Sequence, residues 1–121
     1  MKSRKCILIV DDDNDVLLFL GDCLNALGYE VLTATNGQEG LDILQQQSVD
    51  GILLDLNMPV MGGIPMLEKL GNTSLSLPVI VMSATGYRSE LQQAILKGAM
   101  DFLIKPVVAE ELTGKCLRLF E

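Results

Sequence analysis

The sequence predicts a doubly wound α/β domain, in which helices cover both faces of a five-stranded parallel sheet. Five runs of strand length alternate with stretches whose apolar residues recur at helical spacing. Most of the runs are apolar throughout, as expected for parallel strands that are buried on both faces. The chain has 121 residues, 49% of them hydrophobic, so a single domain over residues 1–121 can bury a substantial core. The predicted strands are residues 5–10, 29–34, 51–55, 78–82 and 101–104.

The first half of the chain is predicted to contain three strands and two helices. The first strand ends in consecutive aspartates, and either Asp13 or Asn14 can cap the first helix. The second strand alternates in polarity, which is typical of an edge strand, and Asn36 can cap the second helix. The third strand is an unbroken apolar run that ends on a single carboxylate, Asp55.

The second half continues the alternation with two strands and three helices. Pro65 is compatible with the third helix because it lies in the first turn. The fourth strand ends on Ser83, and the fifth strand ends on Lys105. At the start of the fifth helix, Val108 is predicted to pack onto Leu112.

Five parallel strands joined by right-handed crossovers favour the flavodoxin-like strand order 2-1-3-4-5, in which strands one and three are neighbours. Neighbouring strands lie about 4.8 Å apart, so the acids that follow these two strands must crowd each other. Four strands end in charged or hydroxyl side chains at the same rim of the sheet, where open α/β sheets bind their ligands. The side chains gathered there are Asp11, Asp12, Asp55, Ser83 and Lys105.

This set of side chains suits phosphoryl transfer. Three carboxylates in one crevice repel each other unless a cation lies between them. Because the chain has no histidine, an oxygen-only site is expected, and such a site suits Mg2+. Asp55 would attack the phosphorus in line and become an acyl phosphate. Lys105 and the metal would balance the charge, while Ser83 would donate a hydrogen bond to a phosphoryl oxygen.

The composition argues against several other classes of protein. A formal net charge of −7 and an isoelectric point of about 4.4 are unfavourable for direct binding to nucleic acid or to an anionic membrane surface. The three cysteines form no CxxC pair and are expected to be plain buried or half-buried thiols. The first apolar run stops at Val10, which is too short for a signal peptide or a membrane span, so the cytoplasm is the expected compartment.

Four segments follow the ends of strands one, three and four or contain strand five: Val10-Asp11-Asp12-Asp13, Leu54-Asp55-Leu56-Asn57-Met58-Pro59, Met82-Ser83-Ala84 and Gly98-Ala99-Met100-Asp101-Phe102-Leu103-Ile104-Lys105-Pro106. In combination they resemble the receiver domain of two-component response regulators, and the resemblance extends over essentially the whole chain. The resemblance implies that Asp55 is the phosphoacceptor, served by the phosphohistidine of a sensor histidine kinase or a histidine phosphotransfer protein. It implies a signalling switch limited to self-phosphorylation and autodephosphorylation, not an enzyme.

The resemblance also implies how a metal is bound. Mg2+, or Mn2+ as a substitute, would be held by Asp12 directly and by Asp11 largely through water. Asp55 and the backbone carbonyl of Asn57 would complete the protein ligands. Asn57 and Thr85 lie where members of the family tune the lifetime of the acyl phosphate.

The remaining roles concern signalling. Ser83 matches the family's switch hydroxyl, Ala84 the small residue that leaves the site open, and Phe102 the switch aromatic. Phosphorylation would draw Ser83 toward the phosphate and let Phe102 rotate inward, which shifts the population between two states. The surface formed by the fourth helix, fifth strand and fifth helix would then change for an output domain or downstream target. A cis peptide is implied between Lys105 and Pro106.

Two features depart from the usual pattern. Gly62 stands where the family usually has an acid or amide that caps the third helix, so the start of that helix is expected to be weak or displaced. The last helix carries apolar residues on more than one face, which indicates either a docking or homodimer surface or two partly buried faces. These residues are Leu112, Cys116, Leu117, Leu119 and Phe120.

Three alternatives stand beside the receiver. Asp11-x-Asp13 after an apolar strand superficially fits the nucleophile motif of a haloacid-dehalogenase-like phosphatase. That family, however, needs a later acidic pair, and Glu110-Glu111 are predicted to lie inside a helix. A flavodoxin-like cofactor binder would cradle a phosphate with its first loop, which is acidic here and has the wrong charge for an anion. A degenerate receiver that only binds partners is disfavoured by the intact set of acids.

Overall fold

The computed structural model describes residues 4–73 and 75–121, and over these ranges five strands alternate with five helices, as predicted. The strands are β1 (Cys6–Val10), β2 (Glu30–Ala34), β3 (Gly51–Asp55), β4 (Val79–Ser83) and β5 (Asp101–Ile104). The helices are α1 (Asn14–Ala26), α2 (Gly37–Gln46), α3 (Gly63–Gly71), α4 (Arg88–Leu96) and α5 (Ala109–Leu119).

The strands form one parallel sheet in the order β2-β1-β3-β4-β5, which confirms the predicted fold class. The register explains how the rim is assembled. Val10 lies opposite Leu54, so the residues that follow them, Asp11 and Asp55, leave neighbouring strands at the same level. On the other side of β3, the end of β4 is level with the end of β5, which places the residue after Ile104 at the same rim.

The three central strands are buried, and their successive side chains enter two separate apolar clusters on opposite faces of the sheet. One cluster packs against α2, α3 and α4, and its strand residues are Leu8, Val10, Ala34, Ile52, Leu54, Val79 and Val81. The other packs against α1 and α5, and its strand residues are Ile7, Ile9, Leu53, Ile80, Met82 and Leu103. The unbroken apolar runs thus reflect burial on both faces.

The predicted helix starts are confirmed for the first two helices. The Asp13 carboxylate accepts hydrogen bonds from the backbone N–H groups of Asp15, at 2.9 Å, and Val16, at 3.4 Å, so Asp13 is the cap of α1. Asn36 caps α2 by accepting a hydrogen bond from the backbone N–H of Glu39 at 2.9 Å. Strand β2 lies at the edge of the sheet, as its alternating polarity predicts.

The predicted packing of Val108 onto Leu112 is wrong. Val108 is the residue before the first turn of α5 and its side chain is 58% exposed. The preceding residue, Val107, packs against the buried cluster that contains Leu112. The chain enters the helix one residue out of phase with the prediction, so the inward position falls on Val107.

The surplus of apolar residues on the last helix mostly belongs to the core. Leu112, Cys116 and Phe120 are buried, and Leu119 is half-buried against the same cluster. Leu117 is the member of this set that stays exposed. The buried residues recur at helical spacing on one face of α5, so a single buried face accounts for most of the pattern. All three cysteines are free, and no described helix has both the length and the apolar character required to cross a membrane.

Candidate functional site

Three carboxylates converge at the rim of the sheet, as the strand order requires. Asp11 and Asp55 are buried, with exposures of 0% and 2%, whereas Asp12 is exposed. One carboxylate oxygen from each of the three lies within 4.8 Å of the others. Oxygens at this spacing fit a single hard divalent cation, and the exposed Asp12 leaves an open side where such an ion could keep part of its water. The donor set therefore suits Mg2+ chemically.

Lys105 reaches this acidic cluster from the end of β5. Its Nζ donates a hydrogen bond to Asp11 Oδ2 at 2.7 Å and forms an ion pair with Asp55 Oδ2 at 3.3 Å. The lysine is half-buried, so its stem is covered while its charge lies between the two buried acids. One positive charge therefore serves two carboxylates, which leaves the cluster with an excess of negative charge.

The pKa values of Asp55 and Lys105 reflect this excess of negative charge. Burial first, and then the charge of Asp11, raises the pKa of Asp55 from 3.8 to about 6, although Lys105 and a backbone hydrogen bond from Asn57 act in the opposite direction. For Lys105, burial alone would lower the pKa. The hydrogen bond to Asp11 and the charges of Asp55 and Asp11 outweigh this effect and raise it above 10.5. At neutral pH, Asp55 is thus mostly ionised and Lys105 is charged.

The loop after β3 brings the third helix unusually close to Asp55. The backbone N–H of Asn57 donates to Asp55 Oδ1 at 3.3 Å. Gly63, the first residue of α3, has no room for a side chain, since a Cβ there would lie 2.6 Å from the Asp55 carbonyl oxygen and 2.8 Å from Leu56 Cα. Between them, Val60 adopts a φ of 65°, a strained conformation for a β-branched residue.

The start of α3 lacks a side-chain cap, as expected from Gly62. Gly62 is the cap residue and makes no side-chain hydrogen bond. The helix nevertheless begins at Gly63, whose N–H donates to the carbonyl of Leu56 at 3.1 Å, so one free donor of the first turn is satisfied by the backbone. The bond from the N–H of Met66 to the carbonyl of Gly62, at 3.2 Å, is the first bond of the helix itself. Pro65 lies in the first turn, as predicted.

Ser83 is fully buried at the end of β4, but its hydrogen bonds point toward the fourth helix. Its Oγ accepts from the backbone N–H groups of Thr85, at 3.3 Å, and Gly86, at 3.1 Å. The hydroxyl donates to Glu90 Oε1 at 2.9 Å, and Thr85 Oγ1 lies 3.2 Å away. In the described chain, every hydrogen-bond partner of Ser83 Oγ thus belongs to the β4–α4 loop or to α4.

Glu90 is the residue of this site that the sequence interpretation missed. Besides Ser83, its carboxylate accepts a hydrogen bond from the side-chain amide of Asn57, Nδ2 to Oε2, at 3.2 Å. It thereby joins the loops after β3 and β4 to the first turn of α4. An acid in a first turn is usually explained by the helix dipole alone, so its position in the sequence carries no signal for this bridge.

Phe102 lies on β5, the strand next to β4, and is half-buried. The Lys115 ammonium of α5 is 5.0 Å from the centre of its ring and also donates a hydrogen bond to its backbone carbonyl. The ring lines an open apolar groove between α4 and β5, together with Leu91, Ile95 and Ile104. The predicted switch aromatic thus lies at the junction of α4, β5 and α5.

The remaining predicted residues flank the acids. Ala84 is exposed and lines a recess beside Lys105, together with Phe19 and the residues that follow Lys105. Thr85 is exposed next to Ser83. The peptide bond between Lys105 and Pro106 is cis, as the resemblance implies. The fold thus gathers Asp11, Asp12, Asp55 and Lys105 directly, and places Asn57, Ser83, Ala84 and Thr85 around them.

Comparison with known proteins extends this picture to the family level. The family model of the response regulator receiver domain matches residues 7–116 of this chain. The transcriptional regulatory protein PrrA of Mycobacterium tuberculosis is 38% identical over 109 residues, which cover 90% of this chain and 47% of PrrA. The two-component response regulator ARR14 of Arabidopsis thaliana is 40% identical over 108 residues, covering 88% of this chain and 28% of that protein. The chain thus spans less than half the length of these curated relatives.

Solved structures agree over nearly the whole fold. A two-component response regulator from Clostridium difficile superposes with a TM-score of 0.91 at 26% identity, covering 96% of this chain and 95% of that chain. The chemotaxis response regulator CheY4 of Vibrio cholerae superposes with a TM-score of 0.90 at 29% identity, covering 97% of this chain and 99% of that chain. The chain therefore belongs to the response regulator receiver domains of two-component signal transduction.

Proposed function

We propose that Asp55 accepts the phosphoryl group in this receiver domain. The observation that carries the proposal is the geometry around this one carboxylate. It is buried, and one of its oxygens lies within 4.8 Å of an oxygen of Asp11 and an oxygen of Asp12. Its Oδ2 lies 3.3 Å from Lys105 Nζ. Asp11 shares this burial, spacing and lysine, but its two oxygens are held more closely, by the backbone N–H of Asp13 at 2.9 Å and by Lys105 Nζ at 2.7 Å. Both corresponding contacts of Asp55 are 3.3 Å long, and Asp55 occupies the position that the receiver resemblance assigns to the phosphoacceptor.

The donor would be a phosphohistidine on a sensor histidine kinase or a histidine phosphotransfer protein. An oxygen of ionised Asp55 attacks the phosphorus, the P–N bond to the imidazole breaks, and the imidazole leaves with the electron pair and takes a proton from solvent. Because the pKa of Asp55 is about 6, the nucleophile is mostly ionised at neutral pH without a general base. Hydrolysis of the acyl phosphate resets the site, so the domain is a switch with no foreign substrate.

We propose that the acids hold Mg2+, or Mn2+ in its place. The ligands would be Asp11, Asp12, Asp55 and the backbone carbonyl of Asn57, and the ion would supply positive charge to the phosphoryl oxygens. Lys105 is the second positive group at this position, 2.7 Å from Asp11.

The signal would leave the site through the surface of α4, β5 and α5. Ser83, whose hydroxyl donates to Glu90 of α4, and half-buried Phe102 of β5 would transmit it, while Asn57, Ala84 and Thr85 would tune the lifetime of the acyl phosphate. An output domain or a separate target would read this surface, and exposed Leu117 on α5 offers a contact for a homodimer. The acidic composition supports a partner other than nucleic acid or membrane, and the cytoplasm remains the predicted compartment.

The metal assignment is tested by titrating Mg2+ into the parent protein and into Asp12→Asn. Binding of beryllofluoride, a phosphoryl mimic, should require Mg2+ in the parent, with the affinity for Mg2+ at least about tenfold weaker in the variant because one ligand is lost. Asp42→Asn, which neutralises an exposed acid of α2, is the matched control and should behave like the parent. Equal Mg2+ affinity in the parent and in Asp12→Asn would refute the proposed ligand set.

A further inference from the structure

The carboxylate of Glu90 connects α4 to residues that lie next to the proposed phosphorylation site. Oε1 accepts the hydroxyl hydrogen bond of Ser83 at 2.9 Å, and Oε2 accepts from the side-chain amide of Asn57 at 3.2 Å. Glu90 itself lies in the first turn of α4 and is half-buried. One side chain of the helix is thus tied at the same time to the loop that follows Asp55 and to the switch hydroxyl.

The effect of the contact between Glu90 and Ser83 depends on which acceptor takes the hydroxyl hydrogen of Ser83. A hydroxyl has one hydrogen to donate and two lone pairs. Backbone N–H groups of Thr85 and Gly86 already donate to the oxygen. The hydrogen is therefore directed away from them. Two contacts remain for it, to Thr85 Oγ1 at 3.2 Å and to Glu90 Oε1 at 2.9 Å. The contact to Glu90 is shorter and has a carboxylate as acceptor, so it takes the hydrogen. While Ser83 donates to Glu90, it has no hydrogen for a phosphoryl oxygen.

We propose that Glu90 is a positioning residue that holds the unphosphorylated state, and that a phosphoryl group on Asp55 competes with it for the proton of Ser83. This inference rests on the proposed function of Asp55. An acyl phosphate brings additional negative charge and strong acceptor oxygens to the same pocket. It both attracts the Ser83 hydrogen bond and repels the Glu90 carboxylate. Release of Glu90 detaches the first turn of α4 from the two loops, which connects phosphorylation to the α4 surface.

The competition has a direct energetic consequence. Any ligand on Asp55 that needs the Ser83 hydrogen bond must first break the contact with Glu90, so this contact lowers the apparent affinity for such a ligand. Removing Glu90 should therefore strengthen binding of a phosphoryl mimic. The gain depends on Ser83, because without its hydroxyl there is no proton to compete for.

The test measures beryllofluoride affinity at saturating Mg2+ in the parent, Glu90→Ala, Ser83→Ala and the double variant. Glu90→Ala is expected to bind about tenfold more tightly than the parent, as expected for release of one charged hydrogen bond. In the Ser83→Ala background the same change should have an effect of about twofold or less, which reflects charge repulsion alone. An equal gain in both backgrounds, or no gain in either, would overturn the proposal.

Two further variants keep the test specific. Glu90→Gln retains the shape and an acceptor but loses the charge, so it should fall between the parent and Glu90→Ala, and it replaces Glu90→Ala if that protein is unfolded. Glu110→Ala removes an exposed first-turn acid of α5 and should leave the affinity unchanged. If the parent fails to bind beryllofluoride with Mg2+, the proposed function fails. If the parent binds and both Glu90 variants match it, only the role of Glu90 fails.

Discussion

At the scale of single residues, Lys105 is the cation on which two buried acids depend. Removing it leaves Asp11 and Asp55 as neighbouring buried carboxylates without their positive partner. We expect Lys105→Ala to lower the free energy of unfolding by roughly 3 kcal/mol at neutral pH in metal-free buffer. Added Mg2+ should restore part of the loss, since a bound cation replaces the missing charge. Urea denaturation with and without Mg2+ measures both effects.

Lys97 provides the matched control for this substitution. Its ammonium pairs with Glu68 at 3.0 Å, but the two side chains are 43% and 51% exposed, so water screens the pair. Lys97→Ala should therefore cost no more than about 1 kcal/mol and show no dependence on Mg2+. Losses of the same small size for both lysines would mean that the buried acids do not rely on Lys105.

The raised pKa of Asp55 predicts how stability depends on pH. Between 3.8 and about 6 the folded state binds a proton that the unfolded chain has released. The contribution of this group is therefore most favourable at pH 4 or below and is lost as pH rises through about 6. Asp55→Asn stays neutral at all these pH values, so its stability relative to the parent should rise by about 2 kcal/mol from pH 4 to pH 7 without metal.

Urea denaturation of both proteins in metal-free buffer at several pH values provides this comparison. The difference between the two curves isolates Asp55 from the other titrating groups. A constant difference, or one that shrinks as pH rises, would show that Asp55 is not held in a desolvated and negatively charged setting.

The positions of some site residues could be predicted from the sequence, whereas the contacts of Glu90 could not. The acids, Ser83 and Lys105 could be placed because each directly follows a strand, and the strand order brings strand ends together. The bridge from Glu90 to Ser83 and Asn57 could not, because it depends on how α4 is oriented over the loops. Side-chain contacts between a helix and two loops have no periodic signature in a sequence.

At the scale of elements, the approach of α3 to β3 fixes the loop that follows Asp55. Gly63→Ala would place a Cβ 2.6 Å from a backbone oxygen and 2.8 Å from a backbone carbon, neither of which can rotate away. We expect a loss of roughly 2 kcal/mol in the free energy of unfolding. A weaker Mg2+ affinity should accompany it, because the loop begins directly after Asp55 and includes the proposed carbonyl ligand of Asn57.

Gly114 serves as the control within a helix. A Cβ at this exposed position of α5 meets nothing within 4 Å, so Gly114→Ala should stabilise the protein by up to about 1 kcal/mol through better helix propensity. Thermal unfolding of both variants, followed by Mg2+ titration, tests the contrast. A stable Gly63→Ala protein with normal Mg2+ affinity would contradict the close packing of α3 against β3.

The elements themselves were predictable because their signals are local. Asp13 and Asn36 cap the helices that they precede, and the strands lie at their apolar runs or, for β2, at an alternating segment. The phase at which the chain enters α5 was not predictable, since both Val107 and Val108 are apolar. Tertiary packing chose Val107 as the inward residue.

At the scale of the whole molecule, the alternation of strands and helices was sufficient to predict the sheet. Continuous apolar strands require cover on both faces, and the two clusters on opposite sides of the sheet provide it. The phosphatase alternative finds no support, because Glu110 and Glu111 lie in the first turn of α5 and the family match is to receiver domains. The output could not be predicted, since the chain spans less than half of the curated relatives named above.

Intact-mass measurement after incubation with acetyl phosphate tests most directly whether Asp55 itself receives the phosphoryl group. The parent protein should gain the mass of one phosphoryl group in the presence of Mg2+ and should gain little when the metal is chelated. Asp55→Asn should gain nothing under either condition, although it should fold and remain at least as stable as the parent. Equal phosphorylation of the parent and of Asp55→Asn would contradict the account.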